Sequence, residues 1–373
     1  LHLLCEKHST STSKWGPYLS ILPNQLDHPL LWPGSWRSGL LSGSPMLERL
    51  GRRLEMVEQD FQAVMAAGGG SLQLPGKIDA QAFRWAVATL LSRSFSLEVP
   101  SQEEAAQLAA TGPADSDSGA YWDADEDEAS IYAQAEQGGS TIALVPWADM
   151  MNHSSSAGQQ SVLAYDASTK TACLTAHRMY HPGEEVFDSY GPNLAPWELL
   201  LDYGFVDSGN TNHQVQLSWD QLATARSKAS EELLRSVEME IGGLGIVMSS
   251  AGLDETALAC LRAASAPPKQ LAGMGWTPKS MGDPGATMMA MCWLGSPISR
   301  EHELQVMADT ISAVDRLLAS YVEPSLDGAE DVLGVDSAWV VDQAKIAKDS
   351  EKAALKATKA GLQQAVKRLK EGC

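Results

Sequence analysis

Apolar residues recur at close to helical spacing in two segments near the start of the chain. Residues Pro45 to Ala67 carry the spacing of a helix, and Gly68 ends it. A second helix is predicted from Asp79 to Ser96 by the same argument. Residues 1–8 have the pattern of the end of a helix. The first part of the chain is therefore predicted to be helical.

From Thr141 onward the pattern changes to short apolar runs that are typical of strands. Thr141 to Pro146 forms one such run. Residues 161–166 and 171–176 flank a short polar stretch, which predicts a hairpin. Residues 196–203 then predict a short helix with a proline in its first turn.

After about residue 214 the pattern becomes helical again. The segments 217–240, 255–264, 299–321 and 338–371 each predict a helix. The last of these is rich in alanine and lysine, and its basic residues, among them Lys348, predict a solvated face rather than a binding site.

The length of 373 residues favours two domains, which we place at 1–214 and 215–373. Residues 99–138 interrupt the first of them with acidic residues among alanine, serine and glycine. We interpret this stretch as a solvated acidic loop. A calcium loop is the alternative, but the glycine that such a loop needs at its sixth position is replaced by Glu128.

The formal net charge of −20 argues against binding to nucleic acid or to anionic membranes. No apolar run is long enough to predict a transmembrane helix. The five cysteines form no C-x-x-C pair, so we expect neither a disulfide framework nor a metal site.

Two short polar groups interrupt apolar sequence and are the first candidates for chemistry. Asn152 and His153 end an apolar strand, where side chains and backbone groups can hold a polar ligand. Tyr203 precedes Gly204, which permits a close backbone approach. Taken alone, each has an ordinary structural alternative: a hydrogen-bonded core histidine and a core tyrosine.

The order of these groups along the chain resembles that of the SET-domain methyltransferases. It is most similar to the branch of the Rubisco large-subunit lysine methyltransferase and the actin-histidine methyltransferase. The resemblance covers most of residues 1–214. It is carried by Ser92-Arg93-Ser94-Phe95, by the segment from Pro146 to Ser154, by Gly183-Glu184-Glu185-Val186, by Tyr190 and by Leu201-Asp202-Tyr203-Gly204-Phe205.

This resemblance implies an α+β chain. Its first part would be a partial SET β-fold with a helical insert at about 1–98, followed by an all-α substrate-binding lobe. It also implies S-adenosylmethionine as methyl donor and a lysine of a protein substrate as acceptor. Carried over residue by residue, it assigns catalysis to Tyr203 and Tyr190, cofactor binding to Arg93, Asn152 and His153, and substrate binding to Arg93, Asp149, Tyr165 and Tyr203.

The chain departs from this family at two places. The Gly-x-Gly turn with which the family begins is not found, so we expect the chain to start after it, with part of the cofactor pocket missing. Pro196 stands where the family has an asparagine. A non-catalytic protein-binding remnant therefore remains an alternative. A protein-histidine methyltransferase is another, because the acceptor channel of such enzymes is formed mainly by backbone and aromatic groups. We further expect a monomer in the chloroplast or the cytoplasm, and we see no targeting segment.

Overall fold

The computed structural model describes residues 1–68, 78–98, 140–155, 163–166, 171–176, 178–222, 227–240, 245–326 and 336–371. The acidic segment predicted at 99–138 lies outside the described residues.

Five helices form the N-terminal part. The predicted long helix is present, and its apolar face packs through Leu50 and Val57 into two buried clusters. The next helix begins where Asp79 accepts a hydrogen bond from the backbone N–H of Ala82 at 2.8 Å. The five helices are α1 (His2–His8), α2 (Gly16–Ile21), α3 (Gly34–Leu41), α4 (Pro45–Gly68) and α5 (Ala80–Arg93).

The strands of the described residues form four small sheets. β1 pairs antiparallel with β2, β4 with β5, and β8 with both β7 and β9, whereas β3 pairs parallel with β6. The pairing of β4 with β5 confirms the predicted hairpin. The strands are β1 (Ser94–Glu98), β2 (Ser140–Leu144), β3 (Asn152–His153), β4 (Leu163–Asp166), β5 (Thr171–Leu174), β6 (Phe187–Asp188), β7 (Gln214–Leu217), β8 (Ile246–Ser249) and β9 (Gly252–Leu253).

One helix prediction was wrong at its end. The helix predicted to reach Ser96 ends at Arg93, and Ser94 has extended backbone angles. Ser94 is opposite Leu144 in the register of β1 with β2. Pairing with a strand that lies far away in sequence therefore overrides the local helical pattern.

The C-terminal part is mainly helical, but the prediction of an all-α lobe was wrong, because this part also contains the sheet β7–β8–β9. Leu217, predicted to begin a helix, is the last residue of β7. These strands are too short to give a clear alternation of apolar and polar residues. The helices from residue 196 onward are α6 (Pro196–Glu198), α7 (Trp219–Leu222), α8 (Lys228–Glu240), α9 (Glu255–Ser265), α10 (Pro268–Gly273), α11 (Pro284–Leu294), α12 (Arg300–Ser320) and α13 (Ser337–Glu371).

The last helix joins the two parts of the molecule. Most of its basic residues are exposed, as the predicted solvated face requires, but the prediction was wrong for Lys348. Lys348 is only 1% exposed, and its ammonium group donates to the carbonyl oxygens of Leu40 at 2.9 Å and Val322 at 2.6 Å. Burial lowers the pKa of Lys348 to about 8. Five positions before Lys348, Gln343 accepts from the backbone N–H of Val206 at 2.6 Å. Polar side chains of α13 therefore fix the N-terminal half to the C-terminal lobe.

The described helices include none that is both long and apolar enough to cross a membrane.

Candidate active site

Tyr203 lies at the end of a π-helical turn, Leu199–Tyr203, that continues α6. The turn is closed by Gly204, whose φ is +83°. A Cβ atom at Gly204 would lie 2.2 Å from the carbonyl oxygen of Asp27, so this position requires glycine for both conformation and space. Such π-helical turns occur frequently at functional sites.

Two side chains from the helical N-terminal part hold this turn. His28 is buried, and its Nδ1 accepts from the N–H of Leu30 at 3.2 Å. Its Nε2 therefore carries the proton and donates to the carbonyl oxygen of Asp202 at 3.1 Å. Burial lowers the pKa of His28 to about 4, which keeps the ring neutral. Arg53 donates to the carbonyl oxygen of Leu201 at 2.9 Å and pairs with the Asp202 carboxylate at 2.6 Å.

Four rings meet beside this turn, and we call them the tyrosine cluster: His153, Tyr190, Tyr203 and Phe205. The centroids of Tyr190 and Tyr203 are 4.7 Å apart, and those of His153 and Tyr190 are 5.1 Å apart. Phe205 lies 6.0 to 6.3 Å from the other three. The sequence identified three of the four; Phe205 was quoted only as part of a motif.

Both tyrosine hydroxyls of the cluster remain protonated. Burial raises the pKa of Tyr190 to about 12. It also raises the pKa of Tyr203 well above its ordinary value, and the neighbouring Asp202 carboxylate adds to that shift. The Tyr190 hydroxyl donates to the carbonyl oxygen of Met151 at 2.7 Å. These hydroxyls are therefore hydrogen-bonding groups and not bases at neutral pH.

His153 positions Tyr190 through its ring. The N–H of Tyr190 donates to Nδ1 of His153 at 3.0 Å, so Nε2 carries the proton and donates to the Ser155 hydroxyl at 3.0 Å. Burial lowers the pKa of His153, while the charge of Asp207 acts in the opposite direction. With both ring nitrogens engaged, His153 is a neutral structural link. Its assignment to cofactor binding stays a prediction and would involve its backbone.

Asn152 lies beside His153 with its side chain exposed. Its amide group donates to the carboxylate of Glu185 at 2.7 Å. The backbone pairing of β3 with β6 places Asn152 opposite Phe187. The two motifs that the sequence separates, at 152–153 and 183–186, therefore lie side by side.

A second group of polar side chains, which we call the carboxylate cluster, consists of Tyr18, Arg93 and Asp149. Asp149 lies in a 3₁₀ turn, Ala148–Met150, and is only 7% exposed. The Tyr18 hydroxyl donates to its Oδ2 at 2.6 Å. Arg93, the last residue of α5, donates to the Asp149 carbonyl oxygen at 3.0 Å and lies 3.8 Å from Oδ2. Sequence reasoning missed Tyr18 as a site residue.

Two buried atoms of the carboxylate cluster have no hydrogen-bond partner among the described residues: Oδ1 of Asp149 and Nε of Arg93. Burial raises the pKa of Asp149, while the Tyr18 hydrogen bond and the Arg93 charge oppose that shift. The backbone N–H groups of Trp147 and Asp149 also lie near enough to lower the pKa, but neither bonds to Oδ1. Buried polar atoms without partners are costly, and they commonly mark a place where a ligand binds.

The two clusters form one site, because the segment 149–153 belongs to both. Asp149 and His153 are its two ends, and the carbonyl of Met151 between them accepts from Tyr190. The charges of Arg93 and Asp149 also act on the Tyr190 hydroxyl. Tyr165 lies on β4, but its side chain is outside the description, so its predicted contact with substrate stays a prediction.

The turn that carries Asp149 begins with an unusual residue. Trp147 has a φ of +82°, and it is the only non-glycine residue with positive φ in the described part of the chain. A bulky side chain in this conformation costs on the order of 1–3 kcal/mol. Backbone strain of this kind is found mainly at functional sites.

Within the described ranges, no group of histidine, cysteine, aspartate and glutamate side chains has the arrangement of a metal site.

Comparison with known proteins agrees with the motifs. No protein-family model matches the chain. The N-lysine methyltransferase setd6 of Danio rerio is 29% identical to it over 257 residues, which cover 64% of this chain and 49% of the relative. The N-lysine methyltransferase SETD6 of Homo sapiens is 30% identical over 223 residues, which cover 58% of this chain and 39% of the relative. The chain thus spans less than half the length of these two relatives.

Solved structures match over nearly the whole chain. The SET domain of LSMT bound to lysine and AdoHcy has a TM-score of 0.68 at 19% identity, covering 99% of this chain and 75% of the other. Rubisco LSMT bound to AdoMet gives the same values. The chain therefore has the α+β fold of the LSMT SET-domain structures, and the resemblance to SET-domain methyltransferases predicted from its motifs is confirmed.

Proposed function

We propose that this protein is an S-adenosylmethionine-dependent protein-lysine N-methyltransferase. The observation that carries the proposal is the meeting of Tyr190 and Tyr203 beside the segment 149–153. This arrangement places two protonated hydroxyls at one end of that segment and a buried carboxylate at its other end, and one oxygen of this carboxylate has no partner among the described residues. The similarity to N-lysine methyltransferases and to structures that hold lysine and AdoHcy supports the proposal.

The residues present fit the proposed cofactor. S-adenosylmethionine is zwitterionic and cationic at sulfur, and when bound it supplies the methyl group. The amide of Asn152, the guanidinium of Arg93 and the backbone at His153 are the groups that would hold it. The Nε of Arg93, which has no partner among the described residues, is a donor suited to a carboxylate or hydroxyl oxygen.

The carboxylate cluster fits the acceptor. Oδ1 of Asp149 is a buried hydrogen-bond acceptor without a partner in the described residues, and it suits the N–H groups of an incoming lysine. Tyr18 and Arg93 hold the other oxygen, so the carboxylate has a fixed orientation. A group held in this way can select an amine before any reaction occurs.

The tyrosine cluster has the groups needed to orient the acceptor nitrogen during methyl transfer. Methyl transfer is an in-line displacement, in which the attacking nitrogen must lie opposite the bond that breaks. Alignment of that nitrogen therefore supplies much of the rate. The acceptor must lose its proton to solvent before transfer. Burial beside aromatic rings lowers the pKa of a lysine, whereas the charge of the Asp149 carboxylate acts in the opposite direction. The hydroxyls of Tyr190 and Tyr203 can then orient the nitrogen lone pair, and their raised pKa keeps them neutral while they do so.

The test is methyl transfer from radiolabelled S-adenosylmethionine to a mixture of proteins, followed by amino-acid analysis of the labelled product. Methyl-lysine is the expected product. Methyl-histidine would instead make the protein a histidine methyltransferase. Cofactor binding without any labelled product would contradict the catalytic proposal and leave a protein-binding role.

A further inference from the structure

The strained turn before Asp149 carries a large apolar side chain that is mostly exposed. Trp147 is 78% exposed, so its indole gains little from burial. Within the described part of the chain, its side chain makes no hydrogen bond or ring contact. A glycine would adopt a φ of +82° without strain.

The backbone of this turn has a clear purpose. The N–H of Asp149 donates to the carbonyl oxygen of Val145 at 3.2 Å, and the N–H of Met150 donates to that of Trp147 at 3.2 Å. These bonds form the turn that delivers the Asp149 carboxylate to Tyr18. They stabilise the turn, but they do not explain why the residue with the positive φ is tryptophan.

A second exposed apolar side chain lies on the same turn. Met150 is 38% exposed, whereas Asp149 between the two is buried. Indole and thioether groups both offer large, polarisable apolar surfaces, and such residues are enriched in protein interfaces. The two apolar side chains therefore flank the residue that we assign to the acceptor lysine.

We propose that Trp147, together with Met150, binds an apolar side chain of the protein substrate next to the acceptor lysine. This inference rests on the proposed function, because it takes the site of Asp149 as the acceptor site. It makes Trp147 a specificity-determining residue. The contact with substrate accounts for an indole held in a strained and exposed position. It also predicts that the enzyme prefers lysines with apolar neighbours.

The experiment compares two short peptides that differ only beside one lysine: one carries leucine on both sides of it and the other serine. Calorimetric titration measures their affinity for wild-type protein and for Trp147→Gly. The wild type is expected to prefer the leucine peptide. Trp147→Gly is expected to bind that peptide about tenfold more weakly, with the serine peptide unchanged, since buried aromatic contacts contribute effects of this size.

Two further variants serve as controls. Trp147→Phe keeps an aromatic ring and should retain most of the preference. Trp339→Ala removes a tryptophan that is exposed elsewhere, on α13, and should change neither affinity. Because glycine suits the positive φ, the melting temperature of Trp147→Gly should not fall.

The inference is overturned if wild type and Trp147→Gly bind the leucine peptide equally, if the wild type binds neither peptide, or if Trp147→Gly melts several degrees lower. Methyl transfer is measured on the same samples. A preference that depends on Trp147 without any methyl transfer would support the inference and contradict the proposed function.

Discussion

The tyrosine cluster and the carboxylate cluster lie at the two ends of one five-residue segment, but they are held in different ways. Around the tyrosine cluster, the ring nitrogens of His28 and His153 and the hydroxyl of Tyr190 all have partners within the chain. The carboxylate cluster leaves one oxygen of Asp149 and one nitrogen of Arg93 buried without partners in the described residues. The polar groups that position the tyrosine cluster are thus paired within the chain, whereas the carboxylate cluster keeps two buried polar atoms that the proposed function assigns to ligand binding.

This difference predicts how substitutions in the two halves behave. Changes around the tyrosine cluster should affect stability or the transfer step. Changes in the carboxylate cluster should affect mainly ligand binding, because two of its buried polar atoms make no hydrogen bond to the described residues.

The largest effect is expected for Tyr203→Phe, which removes one hydroxyl and keeps the ring packing. Loss of one aligned hydrogen-bonding group at a reacting centre costs about 10²–10³ in rate. The expected result is a fall of that size in kcat with an unchanged melting temperature. Tyr180→Phe is the control, because its hydroxyl donates to the carbonyl of Phe187 outside both clusters. Full activity in Tyr203→Phe would remove this residue from catalysis.

Gly204→Ala tests the packing beneath the tyrosine cluster. The added Cβ would meet the Asp27 carbonyl oxygen at 2.2 Å, and φ at this position is +83°. We expect a loss of about 3 kcal/mol in the free energy of unfolding, measured by urea denaturation. Gly183→Ala is the matched control. Gly183 also has a positive φ, +90°, but a Cβ added there would have no atom within 4 Å. It should cost only about 1 kcal/mol, and equal losses in the two variants would contradict the argument from close packing.

The buried His28 predicts a loss of stability in acid. Its pKa is about 4 in the folded protein against 6.5 ordinarily. The unfolded chain therefore takes up the proton first, so stability present above about pH 6.5 is lost as pH falls toward 4. The expected loss from this group is on the order of 3 kcal/mol.

Urea denaturation between pH 7 and pH 4 measures this loss. The slope should be smaller in His28→Gln, whereas His181→Gln, at an exposed position, should keep the wild-type slope. An unchanged slope in His28→Gln would show that another group causes the acid sensitivity.

The smallest effect is expected in the carboxylate cluster. Tyr18→Phe removes a hydrogen bond that lowers the pKa of Asp149, so that pKa should rise further. The ionised carboxylate is then lost at a higher pH, and the acid limb of kcat/KM should move to higher pH. We expect KM for a lysine peptide to rise about fivefold at neutral pH, with little change in kcat or melting temperature.

If Tyr18→Phe clearly lowers the melting temperature and leaves the acid limb of the kcat/KM profile at the same pH, the role of Tyr18 is purely structural. The two clusters would then not differ in the way described.

The sequence predicted the parts of this site that lie in short motifs. Asn152, His153 and Tyr203 were identified because each sits in a run of neighbouring residues similar to a known family. The α+β class followed from the change in hydrophobic pattern at Thr141 and from the same resemblance, and the match to LSMT structures confirms it.

What the sequence did not predict depends on contacts between distant segments. Tyr18 bonds to Asp149 across 131 positions, and His28 bonds to the backbone of Asp202 across 174. Lys348 reads as a solvated lysine in an alanine-rich helix, yet its ammonium group bonds to Leu40, 308 positions away. Such pairings leave no periodic signal, because each is decided by how separate elements pack together.

Binding of S-adenosylmethionine to this chain is the most direct requirement of a methyl-transfer site. Calorimetric titration of the folded chain with S-adenosylmethionine tests this without knowledge of the protein substrate. We predict a dissociation constant in the micromolar range, weakened in Asn152→Ala. A folded sample that shows no binding heat at any accessible concentration would contradict the assignment of these two clusters to a methyl-transfer site.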